Sequence, residues 1–295
     1  MKFYIVTPTF NALQWLQGCV RSVKAQAGDG VEVHHHIQDG GSGDGTPEWL
    51  AEWQAGSADV SGYTFTYESA PDKGMYDAIN TCWKKMPEDA DVTAHLNSDE
   101  QYLPNVLANV ARRLQLHPEA DIALGAYVIV DSRGHYICHR RPIAPSLFCS
   151  STECEIITCT CFHRAETFRK HGIRFDIRWR SIGDLIFYRD IMRTSPRVLV
   201  MADLCTSLFS VTGSNLGWSP ITAKEWGEYS ATLSSMQLRS KFLVHFWCNL
   251  RRRLRDCFLK APREYDMYRR GEAQLHHRVI KKPTSHWGCR EVGED

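Results

Sequence analysis

The chain has 295 residues, a net charge of +1 and an ordinary apolar share of 43%. That length suits one large α/β domain or two small ones, and the composition excludes a disordered polymer or a uniformly basic nucleic-acid binder. Charge is uneven: from Arg239 to Lys282 basic residues heavily outnumber acidic ones, most densely at "RRRLR", 251–255.

The opening "MKFYIVTPTF" lacks a long apolar core and a small-residue cleavage site, so it reads as a strand rather than a secretory leader. No stretch has the apolar length of a membrane span. A cytoplasmic setting is the expectation. The 11 cysteines, an odd number without a leader, point to reduced thiols. Cys149, Cys154, Cys159 and Cys161, with His163 nearby, lack the paired spacing of a structural zinc site. A strand would put Cys159 and Cys161 on one face, so buried thiols are expected.

In chain order, "KFYIVTPTF" is a near-continuous apolar run, as expected of a strand covered on both faces. "NALQWLQGCVRSVKAQ" repeats Leu13, Leu16, Val20 and Val23 at helical spacing, with Asn11 as its expected N-cap. "VEVHHHIQDG" alternates as a strand, which turns His35 opposite to His34 and His36 and makes the three structural rather than a metal tag. A helix follows from Thr46 and Pro47. "GYTFTYES", "MYDAINTCWKKM", "DVTAHL" and "PNVLANVARRLQLH" continue the alternation. Four β–α units in about 115 residues predict a doubly wound, mainly parallel sheet.

Beyond that point "GAYVIVDSRGHYICHRR" predicts a hairpin around Asp131–Gly134. "EIITCTCFHR" predicts a strand, "AETFRKHG" a helix closed by Gly172, and "GDLIFYRDIMR" a helix. From about Ala223 the chain reads as helical and basic. The expected organisation is a domain over 1–222, in halves 1–118 and 119–222, with a basic helical extension over 223–295.

Polar and glycine residues gather at the carboxyl ends of the expected parallel strands: "TPTFN", "QDGGSGDGT", "APDKG" and "NSDE". In such sheets ligands bind beyond those ends. The glycines permit close backbone approach, yet neither a P-loop nor a dinucleotide fingerprint is present. A site without those cradles but with carboxylates can hold a diphosphate through Mg²⁺ or Mn²⁺. Asp99 is the natural ligand, with Lys73 a candidate phosphate or ribose contact, while Glu100 is expected to face solvent.

"TPTFN", "QDGGSGDGT", "PDKGMYDAIN" and "LNSDE" together resemble family 2 glycosyltransferases of the GT-A fold. They are particularly like bacterial enzymes that build exopolysaccharide, capsule or O-antigen chains, and the resemblance covers roughly residues 2–215. It implies a nucleotide-diphospho-sugar donor, first of all a uridine one, and a glycan or lipid-linked acceptor. It places Thr7, Pro8 and Thr9 near the base, Asp39 near base or ribose, and Asp72, Lys73 and Asp77 along the sugar-nucleotide pocket, with Asn11, Gly41, Asn97 and Ser98 also expected among the nucleotide-sugar-binding residues. The family's D-x-D metal element reads Asn97-Ser98-Asp99, its first acid replaced by an amide, and Gln38 stands where many relatives have another aspartate. Asp184 matches the general base, which takes the acceptor's proton in an inverting transfer. Asp190 is a weaker candidate, and His163, Arg164, Trp179 and Arg180 are acceptor-side candidates.

Two other readings stand beside this one. A nucleotidyltransferase would carry a glycine-rich loop after the first strand, which "TPTFNALQW" lacks. A non-catalytic nucleotide-sugar binder is motivated by Asn97. No nucleic-acid partner is expected. The stretch 239–260 carries Phe242, Phe246, Leu250 and Leu254 among basic residues, the pattern of a helix on an anionic membrane surface.

Overall fold

The computed structural model describes residues 1–56, 60–153, 155–212, 217, 219–255, 257, 262 and 264–285. Four strands, β1 (Lys2–Thr9), β2 (Glu32–Asp39), β3 (Tyr63–Ser69) and β4 (Val92–His95), alternate with helices α1 (Leu13–Lys24), α2 (Thr46–Gly56) and α3 (Met75–Lys84). Short β5 (Gln101–Tyr102), α4 (Val106–Leu116), β6 (Ile122–Asp131) and β7 (Tyr136–Arg140) follow. The second half adds β8 (Cys161–Arg164), α5 (Ala165–His171), α6 (Gly183–Met192), β9 (Val198–Val211), α7 (Pro220–Ser230), α8 (Ser235–Leu254), β10 (Glu264–Tyr268) and β11 (Leu275–Val279).

The main sheet has nine strands in the order β3-β2-β1-β4-β8-β6-β9-β5, with β7 paired to β6. β3, β2, β1 and β4 run parallel, and β6 and β9 share their direction because β8 is antiparallel to both β4 and β6. The α/β, mainly parallel architecture predicted from the β–α alternation is present, as is the β6–β7 hairpin around Asp131–Gly134. β1 and its neighbours are apolar on both faces because two cores flank the sheet. One gathers Ile5, Leu16, Val20 and Val110; the other gathers Tyr4, Ile79, Trp83, Phe175 and Phe187.

Three expectations change. Cys159 and Cys161 do not share a face: Cys159 ends up in the first core and Cys161 in the second, because a 3₁₀ turn over Thr158–Thr160 precedes β8. Asn11 is not the cap of α1. Its φ of 49° is left-handed, and the Leu13 N–H donates instead to Asp44 (3.0 Å). The chain beyond Ala223 is helical in α7 and α8 but then forms the β10–β11 hairpin, whose Tyr265 and Met267 join the first core. Gln101 bonds both the carbonyl and the amide of Tyr268 (2.8 and 2.9 Å), so residue 222 does not divide two separate cores.

Candidate active site

From β1 the chain winds outward through β2 and β3, then returns to β4 on the other side of β1. The reversal leaves a crevice outside the carboxyl ends of β1 and β4, where open α/β sheets take their ligands.

The β2 end is built by Asp39. It is fully buried and accepts from Ser69 Oγ (2.6 Å), Ser42 Oγ (2.5 Å) and the N–H groups of Ser42 (3.1 Å) and Gly41 (3.3 Å). Four donors fill the capacity of one carboxylate, so Asp39 shapes the glycine loop instead of offering a free charge to a ribose. Gly41 needs its φ of 84° to make that turn. Asn11 ties this loop to β1: its N–H donates to Ser42 Oγ (2.7 Å) and its Oδ1 accepts from Gly43 N–H (2.9 Å). Gln38 is buried, and its Oε1 has no hydrogen-bond partner among the described residues.

Three loops meet at Gly40. A Cβ there would lie 3.0 Å from Asp72 Oδ2 and 3.3 Å from the Phe10 ring. Phe10 itself is 63% exposed, a large aromatic face left open at the crevice mouth. Asp72 Oδ1 accepts from Gly74 N–H (2.7 Å), and the Lys73 N–H donates to Asp77 (3.1 Å), leaving the Lys73 side chain exposed. Burial, with the charges of Asp77 and Asp39, holds Asp72 above the usual carboxylate range despite the Gly74 bond.

Of the strand-one residues, Thr7 is turned away from the crevice. It is fully buried and its hydroxyl bonds His35 Nε2 (2.9 Å). Pro8 is buried beside it. Thr9 is buried too, with an Oγ1 that has no partner among the described residues. His34 and His36 both bond Thr66 Oγ1 (2.8 and 2.7 Å), which is the structural role expected of them.

The acidic turn after β4 corrects the reading of Glu100. It is 1% exposed, not solvent-facing. Its Oε2 accepts the Asn97 N–H (2.8 Å) while its own N–H donates to the Asn97 carbonyl (3.0 Å), so it clamps the turn from inside. Asn97 Oδ1 and Glu100 Oε1 are buried oxygens without hydrogen-bond partners among the described residues. Ser98 and Asp99 are half-buried. Burial pushes the Asp99 carboxyl up, and burial plus the Asp99 charge pushes Glu100 up. A turn with unspent hard oxygens and two carboxylates held away from their ionised form fits a divalent cation, which would relieve both.

Asp184 stands in the first turn of α6, half-buried. Its N–H donates to Tyr76 Oη (3.2 Å), and its Oδ1 accepts from Leu185 N–H (2.8 Å). Tyr76 lies in the first turn of α3, the helix that begins at the Asp72–Gly74 loop, so the base candidate is tied to the donor side of the crevice. Its ring stacks on Phe175 (4.5 Å) and packs against Gly183, where a Cβ would fall 2.4 Å from it. On the far side Glu225 of α7 is buried and accepts three backbone N–H groups, from Arg180 (2.6 Å), Ser181 (2.9 Å) and Ile182 (3.2 Å). It thereby fixes the 180–182 turn that leads into α6, up to the residue at its N-cap, Ile182. Asp190 is occupied by Arg189 and Arg193 (both 2.9 Å), which removes it as a base.

Phe10, Tyr76 and Glu225 were not singled out from sequence. Phe10 carried a signal, an apolar ring placed after the last strand residue; Glu225 carried none, because its partners lie over 40 residues away.

The acceptor-side candidates separate. His163 is buried, stacked with Tyr188 and beside Cys161 Sγ (3.3 Å). Arg164 donates to the carbonyls of Ala120 (3.0 Å) and Leu114 (2.7 Å), closing the end of α4, and it pairs with Val92 at the opposite end of β4 from the acidic turn. Both are therefore structural. Trp179 packs with Ile182, Leu185, Ile186 and Tyr229, and Arg180 is exposed beside it.

The sequence matches glycosyl transferase family 2 over residues 4–183. Two Mycobacterium tuberculosis proteins, both described as uncharacterized glycosyltransferases, are 40% identical over 76 residues, which is 26% of this chain and 26% of theirs. The matched part is thus about a quarter of those relatives. Among solved structures, S. aureus TarS superposes with a TM-score of 0.61 at 16% identity, covering 83% of this chain and 44% of that one. TarS 1–349 in complex with UDP-GlcNAc gives a TM-score of 0.62 at 16% identity, with coverages of 78% and 64%. The mannosyltransferase PcManGT from Pyrobaculum calidifontis, in complex with GDP-Man and Mn²⁺, gives 0.56 at 16% identity, with coverages of 82% and 68%. These likenesses show the fold.

Proposed function

The chain belongs to glycosyl transferase family 2, and on that premise we propose that it moves a sugar, with inversion, from a uridine-diphospho-sugar to a hydroxyl of a glycan or lipid-linked acceptor. The observation that carries this reading is the tie between the two halves of the site. Asp184 is bonded to Tyr76 on the very helix that leaves the Asp72–Gly74 loop. A carboxylate is thereby held beside a crevice whose other walls are a glycine loop, an exposed aromatic ring and an acidic turn.

The residues divide the work. Phe10 offers a face on which a base can stack. The glycine loop, fixed by Asp39, lets backbone N–H groups approach the nucleotide. Lys73 faces the diphosphate as a mobile positive charge. Asp99, with Asn97, would hold a divalent cation, Mn²⁺ or Mg²⁺. When bound, that cation offsets the charge that grows on the departing nucleoside diphosphate. Asp184 takes the acceptor's proton as its oxygen bonds to the anomeric carbon and the bond from that carbon to the diphosphate breaks. The UDP-GlcNAc and GDP-Man complexes of the structural neighbours support a nucleotide-sugar donor.

Asp184→Ala is expected to bind the donor as the wild type does and to lose transfer by two or more orders of magnitude, on the order of the 10²–10⁴ that a positioned base supplies. Product of unchanged anomeric configuration, seen by proton NMR, or full activity in the variant would contradict the assignment.

The second part of the proposal concerns α8. Among the described residues no helix is long and apolar enough to cross a membrane. Yet α8 leaves Met236, Phe242, Leu243, Phe246, Trp247 and Leu254 exposed, Phe242 by 76%, beside Arg239, Lys241 and Arg251–Arg253. Apolar rings beside cations suit the surface of an anionic bilayer, where a lipid-linked acceptor would be found. Sedimentation with phosphatidylglycerol vesicles, but not with phosphatidylcholine ones, is the expected result. Equal recovery with both, or with neither, would count against it.

A further inference from the structure

The contact that holds α8 to the body is thin. Of its 20 residues only Val244 and Cys248 are buried, and they form a small cluster with Cys149. Beside that cluster lies Glu155, its side chain 1% exposed. The two sulfurs and a Glu155 carboxylate oxygen all fall within 4.8 Å of one another.

We propose that Cys149, Glu155 and Cys248 bind a zinc-type divalent cation that clasps α8 onto the 143–157 segment. Three features favour a metal. The donors are two thiols and one carboxylate, a set that suits Zn²⁺ and not Mg²⁺. The Cys248 Sγ to Glu155 Oε1 distance is 3.6 Å; a tetrahedral zinc with arms of about 2.3 Å to sulfur and about 2.0 Å to oxygen sets those atoms about 3.5 Å apart. Glu155 is also oriented from behind, since its Oε2 accepts the Ser146 N–H (2.8 Å).

The charges balance. Binding breaks two S–H bonds and forms two metal–sulfur bonds, and two protons leave to solvent. Two thiolates and a carboxylate against the cation leave one negative charge. Arg251 offsets it, with Nη1 3.2 Å from Glu155 Oε1 and 4.0 Å from Cys149 Sγ. A cavity of about 220 Å³, lined by Arg140, Arg141, Glu153, Glu155 and Arg252 among others, reaches one ligand of the set, Glu155. A fourth position is left for water, or for His245 on the same face of α8 once it leaves Glu153 (2.9 Å). This set differs from the cysteines grouped by sequence proximity: Cys159 and Cys161 lie in the sheet's two cores, and Cys154 lies outside the described residues.

The test is elemental analysis of the full chain after dialysis against micromolar Zn²⁺ and then metal-free buffer. About one zinc per chain is expected, lost in Cys248→Ser and kept in Asp99→Ala, which removes the donor-site ligand. In case Cys248→Ser fails to fold, Co²⁺ is added to the wild type. Two thiolate ligands give an intense near-ultraviolet charge-transfer band, which an all-oxygen site such as the Asp99 turn does not. Zinc content unchanged in Cys248→Ser, no stable zinc, a Co²⁺ spectrum without that band, or a Cys149–Cys248 disulfide in the freshly purified protein would each overturn the proposal.

Discussion

His35, His36, His95 and His163 are buried histidines. Burial lowers them to about 3, 4, 3 and 4 respectively, with neighbouring positive groups adding at His35, His36 and His95. In the unfolded chain they titrate near 6.5. Between about pH 6.5 and pH 4 the unfolded state binds more protons, so these groups make stability fall as pH falls. The raised carboxyls of Asp99 and Glu100 act in the opposite sense, so wild type must be compared with a histidine variant. His163→Gln is expected to lose less stability than wild type between pH 6.5 and 4.5 in urea denaturation, by about 1 kcal/mol or more; parallel curves would show that burial does not lower the pKa of His163. Legibility at this scale followed exposure. The placement of Asp99 after a strand and of Asp184 in a helix's first turn could be read, because both positions carry local signals. Glu100 could not, since its burial depends on how the turn folds back on Asn97. Nor could the internal positions of Thr7, His163 and Arg164, which are set by their partners across the sheet.

At the scale of elements, the start of α6 is wedged between two others. Tyr76 of α3 packs on Gly183 from one side, and Glu225 of α7 holds the backbone of the 180–182 turn just before it from the other. The Tyr76 ring has no slack, being stacked on Phe175. Gly183→Ala is therefore expected to cost about 1–3 kcal/mol by overpacking and to shift Asp184. Glu225→Gln weakens the hold on that turn without adding bulk. In both, kcat should fall on the order of ten- to a hundredfold by misplacement of the base, while donor affinity holds. Loss of donor affinity with kcat unchanged would mean that this wedge serves the donor pocket and not Asp184. The sequence showed α6 and α3 by their spacing, but the contact between them rests on a missing side chain, a signal with no periodicity.

For the whole molecule, the mainly parallel sheet and a site beyond its strands' carboxyl ends followed from the alternation of strand and helix; the order β3-β2-β1-β4 and the reversal at β1–β4 did not, because the same alternation is compatible with other strand orders. The C-terminal hairpin was hidden by its charge. "EYDMY" alternates buried and exposed residues as a strand should, but its basic surroundings favoured reading the region as a helical extension. The crevice at the β1–β4 reversal is proposed to bind a nucleoside diphosphate through a cation at Asp99. Calorimetric titration of UDP with and without Mn²⁺, into wild type and Asp99→Ala, tests it most directly. UDP binding that Mn²⁺ strengthens in the wild type and leaves unchanged in Asp99→Ala is expected; no UDP binding at all, or the same gain from Mn²⁺ in both proteins, would contradict this assignment.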